Sequence, residues 1–207
     1  MDRSMISRSK GYKIGFMIGK SNNTECFLAK KDDKTYCLKI TKFNEHVENE
    51  LKILHLLKKH KNIISYKESF LLKVKLEDRI CIVTEAMNMN LEQYLKINKG
   101  RIDESRCRLI SGQLLDALNY CHLNLVTHQD LKLQNLMIDP TTLTIKLIDF
   151  GLSSKSGSEE EIKKLTQYNG SPLYTSPEKL SMKIYDGNNK KKNSQFFLNF
   201  LLTFKKK

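Results

Sequence analysis

The stretch VTHQDLKLQNLMID, residues 126–139, packs a His, two Asp, a Lys, an Asn and two Gln between apolar residues. A buried strand does not hold so many polar groups, and an ordinary surface loop does not need the Val, Leu, Met and Ile around them. Two further polar features stand in chain order with this knot: Lys39 inside the apolar run YCLKI, and IDFG at 148–151. Asp130, Asn135 and Asp149 each lie at the edge of an apolar, strand-like run, a placement that suits side chains aimed into a cleft. Two carboxylates and an amide are hard-cation chemistry. Mg2+ in particular keeps few protein ligands and completes its shell with water and phosphate oxygens.

The elements that must position these residues follow from periodicity. YKIGFMIG (12–19), ECFLAK (25–30) and KTYCLKI (34–40) read as strands, and IISYKESFLL with DRICIVTEAM as another strand pair. Between them NEHVENELKILHLLKKH (44–60) has Val47, Leu51, Leu54 and Leu57 at helical spacing. From residue 91 the pattern turns helical. DESRCRLISGQLLDALNYCH (103–122) has Asp103 as its N-cap and an apolar stripe of Cys107, Ile110, Leu114, Leu118 and Cys121. The two apolar runs around Pro140 read as a hairpin. The expected organisation is an N-terminal extension (1–11), a sheet-rich lobe (12–87), a helix-led part (88–187) and a low-complexity tail (188–207).

The 207 residues are 40% hydrophobic and 29% charged, a globular profile. The net charge of +13 is concentrated at the end: residues 190–207 hold six Lys and no acid. The remainder is moderately basic, so no nucleic-acid partner is expected. The five cysteines show no metal-ligand spacing, and the polar N-terminus has no signal-peptide pattern. Reduced thiols in the cytoplasm, or alternatively the nucleus, are the expectation. The longest apolar run, FFLNFLLTF, is too short to span a bilayer, so no transmembrane segment is expected.

From about Tyr12 to Glu178 these motifs, in this order, resemble the eukaryotic-type protein kinases. The resemblance implies a two-lobed α+β fold, with a sheet and one helix in the N-lobe and a mainly helical C-lobe. It implies ATP and Mg2+ as cofactors and a protein substrate with a Ser or Thr acceptor. IGKSNNTEC (18–26) occupies the place of the Gly-rich loop and keeps only Gly19, with Ser21 and Thr24 where the other glycines belong. Ile18, Gly19 and Cys26 would cover the nucleotide from above. Lys39 matches the lysine that contacts the phosphates, and Glu50 the helix glutamate that pairs with it. Thr84 falls at the gatekeeper position, Glu85 and Met87 in the hinge, and Met137 beneath the adenine. Cys37, where kinases usually have Ala, would lie on the Lys39 face of its strand.

By the same resemblance Asp130 accepts or orients the substrate hydroxyl proton and Lys132 steadies the transferred group. Asn135 and Asp149 hold the metal. The Lys two residues after Asp130, and GSPLYTSPE (170–178), are similar to the Ser/Thr-specific kinases, with a flavour of the calmodulin-dependent and AMP-activated group. Leu91 stands where an acid often recognises basic substrates, so no basic consensus is implied.

Gln129 departs from the family, which usually has Arg there to bind an activation-loop phosphate. Gln167 likewise replaces a frequent acceptor Thr, with Thr166 and Tyr168 beside it and Glu159, Glu160 and Glu161 nearby. A rate independent of loop phosphorylation is the functional reading, and sequence drift the alternative. After residue 187 the family would continue with Asp-x-Trp-Ser-x-Gly and further helices, whereas this chain has no Trp and ends in KKKNSQFFLNFLLTFKKK. The C-lobe is therefore expected to be incomplete. The tail reads as a truncated or artefactual end, or as a basic-apolar membrane-touching segment. A non-catalytic nucleotide-binding module and a non-functional fragment stand beside the enzyme as alternatives.

Overall fold

The computed structural model describes residues 10–21, 23–74 and 77–158. Five antiparallel strands form one sheet in the order β1-β2-β3-β5-β4: β1 Lys13–Lys20, β2 Thr24–Lys31, β3 Lys34–Lys42, β4 Tyr66–Val74 and β5 Glu77–Glu85. The β2–β3 connection is a two-residue turn in which Asp32 (φ 48°) and Asp33 (φ 58°) are both left-handed. That geometry matches the twist of the paired strands and suits short Asp side chains.

Helix α1, Glu45–Leu57, packs on this sheet. Asn44 caps it by accepting from the Val47 amide at 3.0 Å, and Glu45 and Glu48 sit in its first turn, where the helix dipole favours acids. The expected stripe buries Val47, Leu54 and Leu57; Leu51 is half-buried, and Ile53 joins the core. Alternation along β5 divides the interior. Cys81 and Val83 face a small cluster with Tyr12, Phe27, Leu38, Ile40 and Leu72, while Ile80 and Ile82 face the large core shared with α1.

The second half begins at β6, Met89–Asn90, which leads into α2, Leu91–Ile97. Asn90 and Gln93 form a reciprocal capping box. Helix α3, Glu104–Leu123, starts at Asp103, whose carboxylate accepts from the Arg106 amide at 2.9 Å. Its expected stripe is buried in full, with Ala117 added. Three short pieces then surround the polar knot: β7 Val126–Thr127, a 3-10 turn Leu133–Asn135, and β8 Leu136–Ile138, which pairs with β9 Ile145–Leu147. Strand β10, Ser154–Lys155, pairs with β7. The hairpin expected around Pro140 is β8–β9, closed by Asp139, which accepts from the Thr141 and Thr142 amides.

The halves share one core, in which Ile53, Leu54 and Ile82 meet Leu118, Leu136, Leu147 and Phe150. Segment 62–64 runs beside β9: Ile64 donates to the Leu147 carbonyl and Leu147 donates to that of Asn62. Among the described residues no helix is long and apolar enough to cross a membrane. The activation-segment positions Glu159–Glu161, Thr166, Gln167, Tyr168 and 170–178, together with the 188–207 tail, lie outside the described residues.

Candidate active site

Lys39 projects from the centre of β3 with buried Leu38 and Ile40 on either side of it. Its ammonium donates to both oxygens of Glu50 on α1, at 2.7 and 3.0 Å, and to Asp149 Oδ1 at 3.1 Å. Burial works against the charged lysine, but the two carboxylates outweigh it and hold its pKa above the ordinary value. At Glu50 burial dominates and pushes the carboxyl up, while Lys39 pulls it back. Asp149 goes the other way: burial would raise it, yet the charge and hydrogen bond of Lys39 bring it below the usual carboxylate range. Asp149 is left-handed (φ 62°), and its side chain is 45% exposed. A Cβ on Gly151, two residues on, would stand 3.4 Å from Asp149 Oδ1 and 3.7 Å from Glu50 Oε2, so a side chain there would crowd the ionic centre.

The second polar centre is the knot itself. Asp130 and Asn135 are both buried, and the Asn135 amide nitrogen donates to the Asp130 carbonyl at 2.9 Å and to its Oδ2 at 3.0 Å. Two acceptors around one amide nitrogen fix the orientation of Asn135, which makes Oδ1 the atom available to a hard cation. Lys132 donates to the same Asp130 Oδ2. The Ile148 amide donates to the Asn135 carbonyl at 3.0 Å, which ties the knot to the turn carrying Asp149.

His128, which sequence reasoning left without a role, organises both centres. Its Nε2 contacts the Ile148 carbonyl at 2.9 Å and its Nδ1 accepts from the Asp130 amide. A ring that accepts at Nδ1 must carry its proton at Nε2, so the tautomer is set. Burial pushes its pKa down and keeps it neutral. The ring also meets Phe150 edge-on at 4.9 Å, which locks the Asp149 turn inward. The signal in the sequence was the His-x-Asp spacing alone.

The remaining expected residues lie on β1, β2, β3, β5 and β8 and on the connection that follows β5. Cys26 lies directly opposite Lys39 across β2–β3, and Cys37 opposite Thr84 across β3–β5. Met137 is half-exposed between buried Leu136 and Ile138, so it faces away from the core. Ile18 is exposed on β1 beside Gly19, and the Ser21 amide donates to the Thr24 carbonyl to close the turn between β1 and β2. The side chain of Glu85 points elsewhere: it accepts from the Ser65 amide at 2.6 Å and from Lys146 at 2.8 Å. The Glu85 carboxylate is therefore already engaged. Met87 continues the same connection into β6. Gln129 is left-handed (φ 66°) and donates to the Ser154 hydroxyl at 2.7 Å.

Residues 12–193 match the family model described as the protein kinase domain. The chain is 33% identical over 187 residues to CBL-interacting serine/threonine-protein kinase 5 of Arabidopsis thaliana, covering 85% of this chain and 40% of that protein. It is 36% identical over 197 residues to the probable serine/threonine-protein kinase MARK-B of Dictyostelium discoideum, covering 86% and 26%. The chain thus spans well under half the length of these relatives. Among solved structures, the Cydia pomonella granulovirus kinase PK-1 superposes with a TM-score of 0.71 at 26% identity, over 89% of this chain and 66% of that one.

Proposed function

This chain belongs to the protein kinase domain family, and from that premise we propose that it transfers the γ-phosphoryl group of ATP to Ser or Thr hydroxyls of proteins. The observation that carries the proposal is the ammonium of Lys39 held by Glu50 and Asp149 beside the Asp130–Lys132–Asn135 network. Lys39 is oriented for the α- and β-phosphates, and Glu50 keeps it from collapsing elsewhere. Met87 and Glu85 present backbone groups to the adenine edge, with Thr84 behind it. Cys26 and Ile18 cover the ring, and Met137 lies below.

Asp149 and Asn135 supply a carboxylate and an amide oxygen, a donor set that fits Mg2+ with phosphates and water filling the other positions. Among the described residues no group of three or more His, Cys, Asp or Glu forms a self-contained metal cage, so the two-ligand reading is the one these residues support. The bound cation would neutralise charge developing on the phosphate oxygens. Asp130 takes the proton from the acceptor hydroxyl as its oxygen attacks phosphorus. Lys132, bonded to the same carboxylate, steadies the phosphoryl group in transit.

The test separates binding from chemistry. Asp149→Asn should weaken Mg2+-ATP binding by about tenfold or more, measured by calorimetry. Asp130→Asn should leave that affinity within about threefold while turnover on a generic Ser/Thr substrate falls at least about 100-fold. Equal activity in both variants and the unaltered chain would sink the assignment.

A further inference from the structure

Strand β1 is the edge of the sheet, and it holds the β1–β2 connection loosely. It pairs with β2 through two register shifts, at Ile14/Met17 and Met17/Gly19, and Phe16, Met17 and Ile18 are exposed on it. The Lys20–Glu25 ion pair spans 3.5 Å with the Lys20 side chain 63% exposed, so water and salt leave it little strength. The firmer contact starts from β2, where the Thr24 hydroxyl donates to the Thr41 hydroxyl of β3 at 2.9 Å. Thr41 is buried, and a buried hydroxyl stripped of its partner is costly, so this bond is better held than the surface pair. The Thr24 carbonyl also accepts from the Ser21 amide at 2.8 Å, which passes the restraint on to the residue after β1.

Thr24 and Thr41 are cross-strand partners, as are Cys26 and Lys39 two residues along, so all four lie on one face of the sheet. The hydroxyl pair is the neighbouring rung to the lysine. We propose that Thr24 is a positioning residue for the nucleotide: its bond to Thr41 seats the β1–β2 connection against β3, beside Lys39, before ATP arrives. The proposal rests on the nucleotide-site reading. A connection without this bond is correctly seated for a smaller fraction of the time, and apparent affinity falls by that fraction. Turnover at saturating ATP is spared, because bound nucleotide selects the seated form. A glycine at 24 would lack the hydroxyl and keep more backbone states.

The experiment compares the full chain with Thr24→Val, Thr41→Val and Thr24→Ser. Val keeps the branched shape and loses the hydroxyl, whereas Ser keeps the hydroxyl. Each Val variant should weaken Mg2+-ATP binding about fivefold by calorimetry and raise KM for ATP to match, with turnover at saturating ATP within about twofold. Combining the two should cost no more than either alone, and Thr24→Ser should bind within about twofold of the unaltered chain. Hydrogen exchange at the Ser21 amide, read without nucleotide, should rise about fivefold in both Val variants. Unchanged affinity in both, losses that multiply in the double variant, or no rescue by Ser would each overturn the proposal, whatever the urea midpoints do. Should Thr24→Val fail to fold, Thr41→Val decides, since it removes the buried hydroxyl itself. Intact ATP binding in the Val variants would leave the nucleotide site standing and remove the role of Thr24. A folded, unaltered chain that binds no ATP would instead remove the site, and that role with it.

Discussion

Lys39 is a single positive charge asked to neutralise two carboxylates, one of them only 3% exposed. Removing one partner of a buried pair leaves the other charge without compensation, typically at about 3–5 kcal/mol. Lys39→Met should therefore lower stability toward urea by that order, and adding Glu50→Leu should restore much of it without restoring ATP binding. An unchanged urea midpoint in Lys39→Met would show that Glu50 is protonated at neutral pH. His128 gives a pH dependence at the same scale. Burial keeps it neutral in the fold, and an unfolded histidine titrates near about 6.5, so below that value the unfolded chain binds more protons. Stability is then fully present above about pH 6.5 and falls as pH drops through it, by up to about 1.4 kcal/mol per pH unit for one histidine. His60, also pushed down by burial, acts in the same window. Urea unfolding of His128→Gln and His60→Gln at pH 7.5 and 5.5 apportions the effect; equal slopes in both variants and the unaltered chain would remove it.

At the scale of elements, Gln129 answers its own oddity. A family Arg at this position awaits a phosphate, whereas Gln129 already reaches Ser154, and β10 is further held by the Ser153 hydroxyl on the His128 carbonyl and Asn49 on the Ser153 carbonyl. These are neutral hydrogen bonds present without any modification. Phosphatase treatment should accordingly change turnover by less than about twofold, far below the effect of a charge-driven switch. A tenfold loss that rephosphorylation at Thr166 or Tyr168 reverses would contradict it.

Elements differed in how well the sequence announced them. The five sheet strands and both long helices carry their own periodicity, and the cap residue Asp103 marks where α3 begins. Lys39, Asp130, Asn135 and Asp149 were legible because polar groups inside apolar runs are costly unless they have partners or work to do. Strands β6, β7 and β10 have two residues each, too few for any period, and they exist only because tertiary contacts pair them. His128 and Ser154 were illegible for a related reason: a lone residue acquires a role from what folding brings beside it.

For the whole molecule the decisive join is Asn62. It is buried, and its amide donates to Gln113 on α3 at 2.8 Å and to the Ile145 carbonyl at 2.9 Å, while Gln113 also contacts Ile145 and Leu143. Asn62→Leu should cost about 2–3 kcal/mol by stranding these groups. It should also split one urea transition into two, read by separate probes of sheet and helix. A single transition of unchanged midpoint would show the node to be dispensable.

That join has a mechanical consequence. The halves are joined at two places, by the 62–64 segment that bonds to β9 and by the single chain passage at 86–88, and Glu85 ties the two together through Ser65 and Lys146. Two pins on one side of a gap define an axle, and a body on an axle can swing but cannot slide or twist freely. Displacement then grows with the lever arm. Phe16, Met17 and Ile18 stand exposed on β1, the sheet edge opposite β4, while Lys39 and Asp149 are bonded across the two halves. On the proposed function, this rim is where nucleotide would come and go, and the Lys39–Asp149 contact is what would hold the two halves together meanwhile.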